Sequence, residues 1–570
     1  METPPPLLRR NDAFILVSLI AFLIPVTLYV FRSLDDNKLT GWNWAFTGTD
    51  VSVFYCTIVI GLIAAFFLSK VSFMERHPVA SLMTLTGITC IFFWAEPEVI
   101  VDASRYFTQA KHLSEYGIEY FIRQWGAEIN AWTDLPLLPF LYGLIFRLFG
   151  ENRMYIQCFT ALLFSMTAVV TYLTGKTLWD ENVGFNAGLL LAGIPYLLTQ
   201  TPLMLVDTAT MFSLIFSVFT FIKALDKGGV WVPVSAFAVV TAVLSKYSTW
   251  MMLSVLAIIF IVHILQNISY KSRNSKRLTL SIERALSVFL VAAIPVTLIV
   301  FDKFEVIADQ INLLVTFQKP ALKGRSESFL STFFFQTHPF ITAAALFALY
   351  AAVRKRDLRS VIIFWLPFLM MLLWVRRSRY IMPVFPMLSL MASYGLQTVR
   401  DSRLRRYLVL AAVSTSLVIA LVVYLPFLKK MSPVNFMHAG RYLNSLDAPV
   451  VEVLTPPSKS FSINPAVSVP VLDLFTAKKI HFRYTEIEPP ERTKKSPLRF
   501  TWTYTNPKYY ENESVGALSE NRPFVIITSG HGETLPEAIH EKIADYRKTA
   551  EFNASTGVFR FSPDVIIYEP

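Results

Sequence analysis

Apolar residues in this chain come in long runs separated by short polar or basic breaks. The runs fall at 13–31, 51–69, 79–95, 153–175, 183–199, 208–223, 230–245, 248–266, 286–302, 339–353, 359–375, 379–398 and 407–426. Runs of this length without charges predict helices that cross a lipid bilayer. One apolar stretch breaks the pattern. Leu135–Phe149 (LPLLPFLYGLIFRLF) reaches only about 22 Å as a helix against a hydrocarbon core of roughly 30 Å, and it contains Pro136 and Pro139. It is expected to be interfacial or re-entrant rather than spanning. Upstream of it, Tyr106, Ala110 and Leu113 share one helical face while Arg105, Lys111 and Glu115 lie elsewhere around the axis. That pattern predicts an amphipathic helix lying on the membrane surface.

After about Met431 the pattern changes to that of a folded α/β domain. PVVEVL (449–454), FVIITS (524–529), VFRFS (558–562) and DVIIYE (564–569) read as strands, and Pro536–Tyr546 reads as a helix opened by Thr534. The SGHGET turn before that helix (529–534) reads first as a tight strand-to-helix connection and second as an anion seat at a helix N-terminus. Four regions result: N-terminal membrane helices (1–95), a loop with interfacial helices (96–152), a membrane core (153–426, including a long loop at 302–338) and a C-terminal α/β domain (427–570).

Composition agrees with a polytopic membrane protein. Of 570 residues, 54% are hydrophobic and only 16% are charged, where a soluble chain averages about a quarter charged. The net charge of +11 reads as basic cytoplasmic loops rather than a nucleic-acid surface. Lys271, Arg273, Lys276 and Arg277 follow one run, Arg354, Lys355 and Arg356 a second, and Arg400, Arg403, Arg405 and Arg406 a third. With these clusters and Arg9/Arg10 in the cytoplasm, about thirteen spans leave the N-terminus inside and everything after Pro426 outside. The first run is too long for a signal-peptide core and lacks a small-residue cleavage site, so it reads as a retained helix. The three cysteines show no paired spacing and the eight histidines no HxxxH pattern, so neither disulfides nor a metal site is expected.

This topology puts Arg376, Arg377 and Arg379 on the outer face, against the positive-inside trend. Single boundary arginines commonly snorkel to lipid headgroups. Three within four positions, ahead of a proline-broken helix, suit an anionic ligand instead, because guanidinium forks match phosphate oxygens. Other polar residues gather at the same level. Asp102 has Arg105 at i+3, which keeps it ionised. Glu96 and Glu98 precede them, and Tyr106 follows. Asp207 opens a helix, where it also reads as a simple N-cap, and Lys246 occupies a short turn between two apolar runs. Carboxylates on one side of an outer cavity and cations on the other suit proton removal from a hydroxyl together with stabilisation of a departing phosphate.

With these residues in place, the chain resembles the GT-C membrane glycosyltransferases related to protein O-mannosyltransferases and lipid A aminoarabinose transferases. DASRYFTQAKHLSEYG, LPLLPFLYGLIFRLFGENR, VDTATMF, LSKYSTW and RSRYIMPVFP carry the resemblance in order, over residues 96 to about 400. The leading reading is transfer of one sugar from a polyprenyl-phosphate donor to an acceptor on the outer face, with inversion if the lone carboxylate acts as base rather than nucleophile, and no metal or other cofactor is expected. The resemblance implies Asp102 as catalytic base or acceptor-positioning carboxylate, Arg105 orienting it or touching donor phosphate, and Asp207 supporting the acceptor. Lys246, Arg377 and Arg379 would bind phosphate and Tyr380 would line the pocket. The chain departs from the family pattern where Ala103 follows Asp102 in place of a second carboxylate, so that any partner carboxylate must come from Glu98 or elsewhere. Leu135 replaces the lysine of the aminoarabinose branch, and two extra helices precede the acidic loop. A transporter of lipid-linked sugars would instead bury charges midway through its helices and show related halves. A non-catalytic scaffold leaves the outer arginines without a role.

Overall fold

A computed structural model describes residues 10–33, 46, 48–94, 100–269, 275–319, 329, 331–457, 463–482, 488–494, 507–510, 522–555 and 562–570. Over their described residues the apolar runs are largely helical. The first helices are α1 (Arg10–Ser33), α2 (Val51–Leu68) and α3 (Pro78–Ile91). A group of shorter helices follows: α4 (Ile100–Tyr116), α5 (Ile118–Gln124) and α6 (Leu137–Phe149). The central bundle contains α7 (Arg153–Leu178), α8 (Glu181–Ala192), α9 (Val206–Lys227) and α10 (Trp231–Ser245). It continues through α11 (Ser254–Ser269), α12 (Ser275–Asp302), α13 (Phe304–Leu313), α14 (Pro339–Lys355) and α15 (Ser360–Leu372). The last two bundle helices are α16 (Phe385–Leu396) and α17 (Ser402–Val418), the latter running on without a break to Leu428.

Among the described residues, seven helices are long and apolar enough to cross a membrane, and several shorter apolar ones, α10 and α15 among them, pack between them. The chain is thus a multi-pass membrane protein. Burial sorts the spans. In α9, 83% of the spanning window is buried inside the protein, against 17% in α12. Phe289, Leu290, Ile294, Leu298 and Phe301 of α12 are accordingly exposed, as a helix facing lipid requires. Small residues let the central helices approach closely. A Cβ on Gly184 of α8 would come within 2.2 Å of the Tyr172 carbonyl on α7.

Helix α6 has 13 residues, too few to span, as its sequence implies. It does not lie flat on its own, however. Its Leu138, Tyr142 and Phe146 are buried against Tyr106 and Phe107 of α4. The two helices touch at Gly143, where a Cβ would meet the Ala110 carbonyl at 2.8 Å.

In α4, Tyr106, Ala110 and Leu113 are buried as the amphipathic pattern requires, but Arg105 is buried too and Lys111 nearly so, while Glu115 is exposed. Part of the polar side of α4 therefore meets protein.

The residues after 431 meet it at Lys111. Helix α18 (Val434–Ser445) leads into strand β1 (Val450–Leu454), a helical turn (Pro465–Ser468), α19 (Val469–Asp473) and β2 (Lys479–Phe482). Then come β3 (Phe524–Ile527), α20 (Glu537–Lys542), β4 (Arg547–Phe552) and β5 (Val565–Glu569). The sheet order is β2-β1-β3-β5-β4, with β1 parallel to β2 and β3, and β5 antiparallel to β3 and β4. β2 and β4 are additions to the strands legible in the sequence. The expected 558–562 strand lies almost wholly outside the described residues, and the 536–546 helix is shorter than expected. One apolar core runs from the sheet through α18 and α19 into α4, α6 and the start of α9. The turn at 529–533 is closed from within, since the Ser529 amide donates to Glu533 Oε2 at 2.7 Å.

Candidate functional site

Helix α4 carries Asp102 in its first turn and Arg105 one turn later. Arg105 Nη2 lies 3.0 Å from Asp102 Oδ1, the i, i+3 pairing that helical spacing predicts. The same guanidinium makes a second, two-toothed contact. Its Nε and Nη2 donate to Asp134 Oδ2 and Oδ1 at 3.0 and 3.1 Å, the fork-to-fork geometry that suits a carboxylate. Gln109, one turn further along α4, adds a donor to Asp134 at 3.3 Å. Asp134 was absent from the sequence reading. The available signal was its position directly before the proline-led α6, in TDLP. It supplies the second carboxylate that Ala103 does not. Glu96 and Glu98 lie outside the described residues.

Three helix ends complete the arrangement. Asp207 stands in the first turn of α9, Lys246 closes α10, and Arg379 sits in the helical turn Ser378–Ile381 ahead of α16. Asp207 is not an N-cap. Leu205 holds that position without a side-chain cap bond, and the Asp207 carboxylate turns instead to Lys246 Nζ at 2.5 Å and Arg379 Nε at 2.6 Å. Arg379 also donates through Nη1 to Asp102 Oδ2. The groups form one alternating series: Asp134, Arg105, Asp102, Arg379, Asp207, Lys246. Cations and carboxylates interleave rather than facing each other across a cavity, because unlike charges in a partly dry site attract more strongly than either can be hydrated.

The remaining expected residues border this series. The Tyr380 ring centre is 4.4 Å from Lys246 Nζ and 5.4 Å from the Arg377 guanidinium, distances at which a ring face attracts a cation. Tyr106 is buried with the Arg105 guanidinium 5.9 Å from its ring. Arg376 turns away. It lies over Trp374 at 4.4 Å, and its carbonyl accepts from Thr332, so it stands apart from the charged series.

Exposure is graded. The Asp207 side chain is fully buried and Asp134 6% exposed, while Asp102 at 19% and Arg379 at 15% reach the surface. Burial by itself pushes Asp102 up, but Arg379 and Arg105, with Arg377 adding, outweigh it and hold the carboxyl well below the usual range. For Asp134 burial wins, and its pKa is raised despite Arg105. The two carboxyls on either side of one guanidinium are therefore pushed in opposite directions.

Two further sets of contacts lay beyond sequence spacing. Gln310 of α13 is buried and donates to the carbonyls of Ala131 and Asp134 at 3.1 and 2.9 Å, while its Oε1 accepts from Tyr247, next to Lys246, at 2.5 Å. The loop at 302–338 thus touches both ends of the charged series through one amide. Elsewhere, Lys111 bridges Glu151 at 3.0 Å and Asp473 at 2.5 Å, and Tyr510 donates to Asp473 at 2.9 Å. That cluster ties α4 to the C-terminal sheet region. Among the described residues no three His, Cys, Asp or Glu side chains gather closely enough to hold a metal ion.

The family profile described as dolichyl-phosphate-mannose-protein mannosyltransferase matches residues 134–299, beginning at Asp134. Among solved structures, ArnT from Cupriavidus metallidurans in the apo state superposes with a TM-score of 0.53 at 12% identity, over 86% of this chain and 97% of that one. The same protein bound to undecaprenyl phosphate gives 0.54 at 11% identity, over 87% and 98%. No curated protein sequence matches the chain. The chain thus shares the fold of ArnT, and its central segment, residues 134–299, is similar to the protein mannosyltransferase profile.

Proposed function

We propose that this protein is an integral-membrane glycosyltransferase. It moves a single sugar from a polyprenyl-phosphate donor to an acceptor hydroxyl or amine on the extracytoplasmic face, with inversion. The observation that carries the reading is the setting of Asp102, held at one oxygen by Arg105 and at the other by Arg379. Beside it, the Arg377 guanidinium has a ring face and no hydrogen-bonding or ion-pair partner among the described residues. A neutral series of paired charges plus one spare cation is what a site for a phosphate anion requires. Donor recognition is further supported by the undecaprenyl phosphate held by ArnT, a protein of the same fold.

In this reading Asp102 takes the acceptor proton, Asp207 supports the acceptor side and holds Arg379, and Arg377, Arg379 and Lys246 meet the phosphate. Positive charge aimed at the departing phosphate is worth most in the transition state, where negative charge develops. Because guanidinium and ammonium groups supply that charge, activity is expected to survive chelation of divalent ions. A carboxylate acting as base rather than nucleophile gives inversion. The bundle end that carries the site faces outward and the C-terminal sheet stands on that side, with the basic clusters in the cytoplasm.

The test uses purified protein in lipid, radiolabelled polyprenyl-phosphate mannose and glucose, and membrane extract as acceptor. Wild type should transfer label, while Asp102→Asn and Arg379→Ala should not. Donor binding that needs Arg379, without transfer by wild type, would replace this reading with transport of the lipid-linked sugar.

A further inference from the structure

The resting site poses a chemical problem. Both oxygens of Asp102 are engaged by guanidinium groups, Oδ1 by Arg105 and Oδ2 by Arg379. A carboxylate so occupied is a poor proton acceptor, since efficient general bases are poised near the working pH. The two arginines are not equivalent. Arg105 is pinned by the fork to Asp134 and by burial. Arg379 is anchored to Asp207 through Nε alone, and its side chain is partly exposed. Its Nη1 arm can therefore swing while Nε stays on Asp207. Arg377, two residues earlier, is close enough for its charge to act on Asp102.

We propose that the donor's phosphate draws the Nη1 arm of Arg379 off Asp102, and that this exchange is what makes Asp102 competent as a base. This rests on the transferase reading above. Phosphate settles between Arg377 and Arg379, and its two non-bridging oxygens let it take one guanidinium on each while it competes for the arm. Asp102 Oδ2 is then free to receive a proton, while Arg105, held by Asp134, keeps Oδ1 oriented.

The transfer step balances. The acceptor oxygen forms a bond to the sugar's anomeric carbon as the bond from that carbon to the phosphate oxygen breaks. The bonding pair leaves with the polyprenyl phosphate, and the acceptor proton passes to Asp102 Oδ2. Negative charge thus moves from Asp102 to the phosphate, where Arg379 already waits. Once the lipid departs, Asp102 releases the proton to water and Arg379 returns. Other charges near Asp102 stay in place: Arg105 from its own helix, Asp134 beyond it, and Asp207 with Lys246 behind Arg379. An order of events follows, in which an acceptor that arrives before the donor meets an inactive carboxylate.

The exchange is testable without turnover. Carbodiimides label protonated carboxyls, and mass spectrometry locates the label. Wild-type protein in nanodiscs would be labelled at pH about 6 with undecaprenyl phosphate, with undecaprenol, or with neither. Loss of one guanidinium contact should raise labelling of Asp102 about tenfold with the phosphate, and not with the alcohol. Arg379→Gln should show the high level without lipid and gain nothing from it. If undecaprenyl phosphate binds and wild-type Asp102 labelling stays level or falls, the exchange is overturned while donor recognition stands. If the lipid phosphate does not bind at all, the exchange and the transferase reading both fall. The wild-type comparison decides the matter even if the variant does not fold.

Discussion

Arg379 reaches Asp207 through Nε, at 2.6 Å, from a turn that lies 172 residues away in sequence. That contact joins the start of α9 to the segment before α16, and with Lys246 it gathers three helix ends at one end of the bundle. Asp207 is therefore expected to be structural as well as functional. Asp207→Ala leaves Lys246 and Arg379 without their shared buried carboxylate. Loss of one partner from such a group costs about 3–5 kcal/mol, and the partial exposure of both cations puts the expected loss at the lower end. Thermal unfolding in detergent beside Asp102→Asn should show Asp207→Ala as much the less stable of the two.

Asp134 acts through Arg105, so it is a positioning residue. Asp134→Asn keeps the shape but removes the charge that the guanidinium fork grips. A slack Arg105 lets Asp102 drift, and a displacement of 1 Å at reacting groups costs about a hundredfold in rate. The expected signature is a fall in kcat with little change in donor KM, and partial recovery in Asp134→Glu. Equal loss of both parameters, or no recovery, would mark a purely structural residue.

Gln310 carries the link between α13 and the two ends of the charged series. Gln310→Leu fills the same space but leaves the Asp134 carbonyl and the Tyr247 hydroxyl without it, while the Ala131 carbonyl keeps the Asp134 amide. Each buried polar group left unpaired costs about 1–3 kcal/mol. Hydrogen exchange should accelerate in 131–134 and 304–313 together. Acceleration confined to one segment would show that the amide does not couple them.

The Lys111 cluster gives a pH dependence with a definite sign. Burial and the neighbouring Asp473 push Glu151 up to about 7, against the opposing pull of Lys111. A carboxyl raised in the folded state binds its proton more tightly than the unfolded chain does, so it stabilises the fold when protonated. That contribution is complete below the ordinary glutamate range and is lost as pH rises to about 7. Thermal stability should therefore fall between pH about 5 and 8 more steeply in wild type than in Glu151→Gln. A parallel fall in both proteins would remove Glu151 as the cause. Because Lys111 and Asp473 sit on opposite sides of the seam between α4 and α19, the loosening should appear there first.

Some of this protein was legible in its residues alone. The helical character of the apolar runs follows from their length, because a helix in lipid must satisfy every backbone group internally and cover itself with apolar side chains. The Asp102–Arg105 pair follows from i, i+3 spacing, which brings two side chains together whatever surrounds the helix. Asp207, Lys246 and Arg379 were legible as polar residues at helix ends on one side of the bundle. Their partners were not. Whether Asp207 caps its helix or turns to Arg379 depends on how closely α9 and the segment before α16 approach, and no local pattern encodes that distance. Asp134 on Arg105, Gln310 on the Asp134 carbonyl and Asp473 on Lys111 each join elements distant in the chain. Periodicity shows that a helix has a polar face. Only packing decides whether that face meets water or, as in α4, a carboxylate brought from another part of the fold.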